Sequence, residues 1–303
     1  MTDVTEIAKG IYQIQTDEAK IPGSQGLPSC SEIYFIADEQ TALIETGPSV
    51  VAPAVAEAVR QLGYDPFRLS YIIPTHIHLD HAGGAGTLAQ QFPQLQVLVH
   101  QRGARHLVDP ARLIEGTRQA FGEKFEDEYG PILPIPLHQV RAVEDGEVIS
   151  LGDRELRIVY TPGHAPHQMC IYETKSQGIF SGEALGTPEI GSSSVSTVAG
   201  FDLDAALETI DKLGKLNPKI IFCSHGGVSR EADRLIQSVR ANTKAYGDII
   251  LEAMRAGDEN EQLVQKLEAY HIEHTPGEHQ PEKPRFDSII NWYVAHFKRK
   301  DAA

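Results

Sequence analysis

Short apolar runs alternate with helical spacing along the first half of the chain. EIYFIA at 32–37 and TALIE at 41–45 predict paired strands, closed by Thr46-Gly47-Pro48. Alanines with Val55 and Val59 predict a helix over 52–62. Tyr71-Ile72-Ile73-Pro74-Thr75 predicts a strand running into His76, then a helix over 84–91 and a strand at 97–99. The second half repeats the style, with strands at 155–160, 169–173, 178–181 and 219–224 and a helix at 203–215. Beyond 228 the spacing is helical over 230–255, 259–269 and 287–297. The polar stretch HIEHTPGEHQPEKPR between the last two reads as a loop. This pattern predicts an α/β (α+β) fold whose sheets are covered by outer helices, with residues 1–228 as its main domain and 229–303 as a helical appendage.

Charge narrows the partners. A net charge of −15 argues against nucleic acid, whose phosphates demand Lys and Arg, and against an anionic membrane surface. It leaves room for a local basic pocket that takes a small anion. No run approaches the roughly 18 apolar residues of a membrane span. The start, MTDVTEIAKGIYQIQT, is acidic early and lacks an apolar run, so no secretory signal is expected. Cys30, Cys170 and Cys223 sit beside apolar residues without metal-type spacing and read as buried thiols. A cytoplasmic protein acting on a small molecule is the expectation.

Chemistry gathers where strands end. Thr75-His76-Ile77-His78-Leu79-Asp80-His81 follows an apolar strand and precedes Gly83-Gly84. Three histidines and an aspartate are costly to cluster unless something pairs with them, and this donor set suits zinc, iron or manganese. His164 in Thr-Pro-Gly-His, Glu183 in Ser-Gly-Glu and His225 in Ser-His-Gly recur at later strand ends. A lone histidine there is ordinarily a hydrogen-bonded core or surface residue; the HxHxDH run gives these three their meaning.

With these motifs in order, from Leu43-Ile44-Glu45-Thr46-Gly47 onward, residues 7–228 resemble the metallo-β-lactamase-fold hydrolases, which include glyoxalase II, lactonases and thioesterases. Gln101 to Pro110 is similar to an uncharacterised subgroup of them. The resemblance implies a four-layer αββα sandwich and two divalent metals, zinc first, with iron or manganese as alternatives. His76, His78 and His164 would hold one metal, and Asp80, His81 and His225 the other. Glu183 falls where the family usually has a bridging aspartate, and Glu45 where an aspartate usually backs the metal loop. Each exchange lengthens an arm by roughly 1.3–1.5 Å.

The implied activity is hydrolysis of a small ester, thioester or lactone by a hydroxide shared between the metals, with Asp80 orienting the nucleophile. Thioesters stand slightly ahead, because a thiolate leaves with little acid help. A mononuclear-iron persulfide dioxygenase is one rival; a metal-binding regulatory protein with a degenerate site is another. Ile21 to Pro28 is expected to rim the pocket or form a surface turn, and His106 to lie near the metals or, slightly ahead, to cap a helix. His271, His274 and His279 are expected in a solvated loop. Phe286, Trp292, Tyr293 and Phe297 are expected on a packing face, with the C-terminal helices able to cover the pocket as a lid. A homodimer is the family's habit.

Overall fold

A computed structural model describes residues 3–16, 31–122, 125–275 and 286–302. The chain divides into two compact units, Met1–Tyr160 with Met169–Phe180, and Thr161–Gln168 with Ser181–Ala303. Cys30, the 21–28 segment and His279 lie outside the described residues.

In the first unit, β1 (Asp3–Ala8), β2 (Ile11–Gln15), β3 (Ile33–Ile36) and β4 (Ala42–Ile44) pair antiparallel in sequence order. The expected strands at 32–37 and 41–45 are β3 and β4. Every side chain of both is buried, as central strands covered on two faces require. β1 is mostly exposed and polar, so the apolar pattern could not reveal it.

Helical crossovers then turn the pairing parallel. α1 (Ala52–Gln61) leads to β5 (Tyr71–Ile73), which lies parallel to β4. α2 (Leu79–Ala82) and α3 (Ala85–Gln91) lead to β6 (Gln96–His100), parallel to β5. α1 turns Val55, Ala56 and Val59 inward, toward a core that also holds Phe35, Ile72, Leu88 and Phe92. A longer excursion through α4 (Gln101–Val108), α5 (Ala111–Phe121) and α6 (Phe125–Tyr129) reaches β7 (Val140–Val143), parallel to β6. The sequence reading left that excursion unassigned. Charged residues crowd α4 and α5, and the short α6 has no room for a period to register.

The same unit carries an antiparallel ladder of β8 (Val148–Ser150), β9 (Glu155–Tyr160), β10 (Met169–Glu173) and β11 (Gly178–Phe180). Ile171 stands between Ile158 and Phe180, so apolar side chains align across three strands.

The second unit contains α7 (Leu203–Lys215), the pair β12 (Ile220–Phe222) and β13 (Val228–Ser229), and three helices: α8 (Ala232–Ala256), α9 (Asn260–His274) and α10 (Phe286–Asp301). Asp202 caps α7 by accepting from the Ala205 amide at 3.1 Å. Gly257 ends α8 at φ +78°, a left-handed conformation that glycine adopts without penalty.

The loop expected from His271 onward is corrected here. His271 and His274 belong to α9, and His271 is buried with its ring edge-on to Phe286. Of the four C-terminal aromatics, Phe286 and Tyr293 are buried, and the Tyr293 hydroxyl donates to the Thr243 carbonyl at 3.0 Å. Trp292 and Phe297 are only partly covered. Cys170 and Cys223 are buried thiols without a disulfide.

Candidate metal-binding site

The HxHxDH run leaves the carboxyl end of β5, where open parallel sheets place their chemistry. The loop is laced down by the chain that follows β4. Thr46 donates through its amide (2.7 Å) and its hydroxyl (2.9 Å) to the His81 carbonyl, and the Gly84 amide donates to the Gly47 carbonyl at 2.9 Å. Glycine at 84 permits this approach, since a Cβ there would stand 3.2 Å from the Thr46 carbonyl oxygen.

Glu45 sits beneath the loop, fully buried, with φ +64°. Its carboxylate accepts from the Thr75 amide at 3.0 Å, the Thr75 hydroxyl at 2.6 Å and His81 Nδ1 at 3.1 Å. The His81 proton therefore resides on Nδ1, which leaves the Nε2 lone pair outward. Thr75 spends its proton on Glu45, so its oxygen accepts from His76 Nδ1 at 3.1 Å, and His76 likewise presents Nε2. One buried carboxylate thus fixes two imidazole tautomers, one directly and one through a hydroxyl.

The Nε2 atoms of His76 and His81 each meet a neighbouring side chain. His76 Nε2 stands 2.9 Å from His78 Nδ1. His81 Nε2 stands 3.2 Å from Asp80 Oδ2, and the Asp80 side chain keeps 23% of its exposure. An imidazole lone pair beside a carboxylate oxygen places two acceptors in contact, an arrangement that a cation relieves. Imidazole nitrogens with carboxylate oxygens are an ordinary donor set for zinc, iron or manganese.

The second unit carries the other three residues. Asp202 donates its amide to the Gly163 carbonyl at 2.8 Å, and Gly163 lies so close to α7 that a Cβ would stand 2.7 Å from Ala206 Cα. His164 is buried, and its Nδ1 donates to the Ser196 carbonyl at 2.9 Å, which fixes its tautomer with the lone pair on Nε2. Glu183 Oε1 lies 2.8 Å from His225 Nε2. Gly182 at φ +53° and Gly226 at φ +80° flank these side chains, in backbone conformations that suit glycine.

His106 does not cap a helix. The cap of α4 is His100, whose Nδ1 accepts from the Arg102 amide at 3.0 Å and whose ring stacks on Tyr160. Burial, aided by Arg102, pushes the His100 imidazole down to about 4. Sequence reasoning passed over His100, although a histidine ending an apolar strand just before a polar helix is a usable cap signal. Tyr129 was also missed. It is buried against Leu79, and burial together with the Asp80 charge raises its phenol above the ordinary range.

Comparison with known proteins agrees with this geometry. The family model of the metallo-beta-lactamase superfamily matches residues 29–225. An atrochrysone carboxyl ACP thioesterase of Aspergillus fumigatus is 29% identical over 64% of this chain, which spans 52%, about half, of that enzyme. An N-acyl homoserine lactonase of Bacillus cereus is 26% identical over 71% of this chain and 79% of its own. The crystal structure of a metallo-beta-lactamase family protein of Thermus thermophilus aligns at a TM-score of 0.71 with 20% identity, covering 98% of this chain and 96% of that one.

Proposed function

The chain belongs to the metallo-beta-lactamase superfamily, and from that premise we propose that it is a metal-dependent hydrolase of a small ester, thioester or lactone. The observation that carries the reading is His81, whose Nδ1 is held by buried Glu45 while its Nε2 faces Asp80 Oδ2. This chain's donors would hold two divalent ions, most simply zinc: His76, His78 and His164 for one, and Asp80, His81 and His225 for the other, with Glu183 beside them. A divalent ion held by such donors would lower the pKa of a bound water to near neutrality and polarise a carbonyl.

The chain's residues do the rest. Asp80 reaches solvent and can orient an attacking water while one of its oxygens serves as ligand. Glu45 keeps the His81 and His76 tautomers correct throughout. A thiolate leaves without a general acid, which favours thioesters, and the two relatives, a thioesterase and a lactonase, fall within the proposed range. Residues 229–303 would serve as an extension able to cover the pocket, in a cytoplasmic protein. Among the described residues no helix is long and apolar enough to cross a membrane.

The test is metal content per chain, measured on protein purified without chelator, followed by an ester, thioester and lactone panel. Close to two divalent ions and hydrolysis of at least one class are expected, both lost in His76→Ala and Asp80→Ala. A single iron with oxygen uptake on glutathione persulfide would replace this reading with the dioxygenase.

A further inference from the structure

Residues 181–202 join β11 to α7 without a helix or strand, so much of their backbone must find hydrogen-bond partners outside regular structure. The part from Glu183 to Ser196 closes on itself. The Ser196 amide donates to the Glu183 carbonyl at 3.4 Å, and the Thr187 amide to Ser193 Oγ at 2.8 Å. The rest is held by α8. Ser238 and Asn242 lie four residues apart and therefore share a face. Ser238 Oγ accepts from the Gly191 amide at 2.7 Å, and Asn242 Nδ2 donates to the Gly191 carbonyl at 2.8 Å and the Ser193 carbonyl at 2.9 Å. The next residue, Thr243, accepts from the Val195 amide at 3.1 Å. From α9, the Tyr270 hydroxyl donates to Asn242 Oδ1 at 3.1 Å.

Asn242 and Thr243 are both buried, where apolar residues would pack a helix at lower cost. Their polar atoms serve the loop, and the loop reaches every donor that this unit gives to the candidate site. Glu183 opens it. Val195, held by Thr243, adjoins Ser196, whose carbonyl takes the His164 Nδ1 proton at 2.9 Å. Pro188 packs on Gly226, where a Cβ would stand 2.9 Å from Pro188 Cδ, and Gly226 adjoins His225.

We propose that Asn242 and Thr243 are positioning residues of the metal site: through this loop they set the Ser196 carbonyl that keeps the His164 proton on Nδ1, so that His164 presents Nε2 as its donor. The proposal rests on the metal-binding reading of His164 and goes beyond it, because it gives the C-terminal helices a part behind the ligands. Asn242 and Thr243 then do for His164, through a carbonyl, what Glu45 does for His81 directly.

The experiment uses the full chain with nitrogen-15 in its histidine rings. Spectra of the metal-free protein, taken well above the ordinary imidazole pKa of about 6.5, report which ring nitrogen carries the proton, and His164→Gln identifies the His164 signals. Zinc titration supplies the second readout. Thr243→Val keeps the shape of the side chain and removes its acceptor. It should bring in the Nε2-protonated form of His164 and weaken zinc binding about 10- to 100-fold, the usual result of altering a group behind a ligand. Thr243→Ser, which retains the hydroxyl, should keep both readouts near the parent. Asn242→Leu should act in the direction of Thr243→Val, and the Thr243 pair decides the matter should that variant not fold. Gln139→Ala, a destabilised control in the first unit, should leave His164 and zinc binding as they are. Parent-like readouts in Thr243→Val, or an equal change in Gln139→Ala, overturn the proposal. A parent chain that binds no divalent ion overturns the metal reading instead, and the tautomer comparison still decides whether Asn242 and Thr243 position His164.

Discussion

Replacing Glu45 by glutamine changes no volume and removes one charge and one acceptor from a fully buried position. The carboxylate now serves three donors: Oε2 takes the Thr75 amide, and Oε1 takes the Thr75 hydroxyl and His81 Nδ1. An amide cannot reproduce this. With its oxygen at the Oε1 position, its NH2 confronts the Thr75 N–H, and two buried donors lose their partners. With its NH2 at Oε1, His81 must move its proton to Nε2, which closes that nitrogen to a metal. An unsatisfied buried donor costs about 1–3 kcal/mol, and hydrogen bonds to a charged group contribute about 1.5–3 kcal/mol. Glu45→Gln should therefore lose about 2–4 kcal/mol of stability in urea unfolding followed in chelator. Metal affinity, measured by titration with zinc, should weaken about 10- to 100-fold, the usual consequence of altering a group behind a ligand. A variant within about 0.5 kcal/mol of the parent and with unchanged zinc affinity would refute the tautomer argument.

Further consequences follow from other positions. A Cβ on Gly86 would stand 1.9 Å from the Leu133 carbonyl oxygen, so Gly86→Ala should cost about 1–3 kcal/mol and lower Tm; an unchanged Tm would contradict the close packing of α3 on that segment. His100 should stay neutral down to about pH 4 by NMR titration. Because its folded value lies below the unfolded value of about 6.5, its contribution is complete above about pH 6.5 and is lost as pH falls toward 4; a midpoint near 6.5 would contradict the burial argument. Gln139 Nε2 donates to the Ala89, Phe92 and Leu95 carbonyls at 3.0, 3.0 and 2.9 Å. Gln139→Ala removes this donor from all three, leaving the Phe92 carbonyl only the Leu95 amide, and should cost about 1–3 kcal/mol, read from the shift in urea midpoint.

The residue types of the candidate site, and their gathering at strand ends, are decided locally and are legible in the sequence. An apolar strand that stops at Thr75 and continues as HIHLDH places its histidines within a few residues, and the spacing alone brings His76 beside His78 and Asp80 beside His81. The central strands are legible for the same reason, since burial on both faces makes β3 and β4 uniformly apolar. Tertiary structure decided what lies behind the ligands. Glu45 is 36 residues from His81, yet they meet because β4 and β5 pair in parallel and the chain after β4 turns with φ +64°. No local pattern encodes that pairing. The same holds for α4, whose charged surface hid a helix and whose glycine matters because Ile77 and Val99 stand against it. Spacing along the chain determines which groups share a loop. Which proton sits on which nitrogen is fixed by partners that only the folded sheet brings within hydrogen-bonding reach.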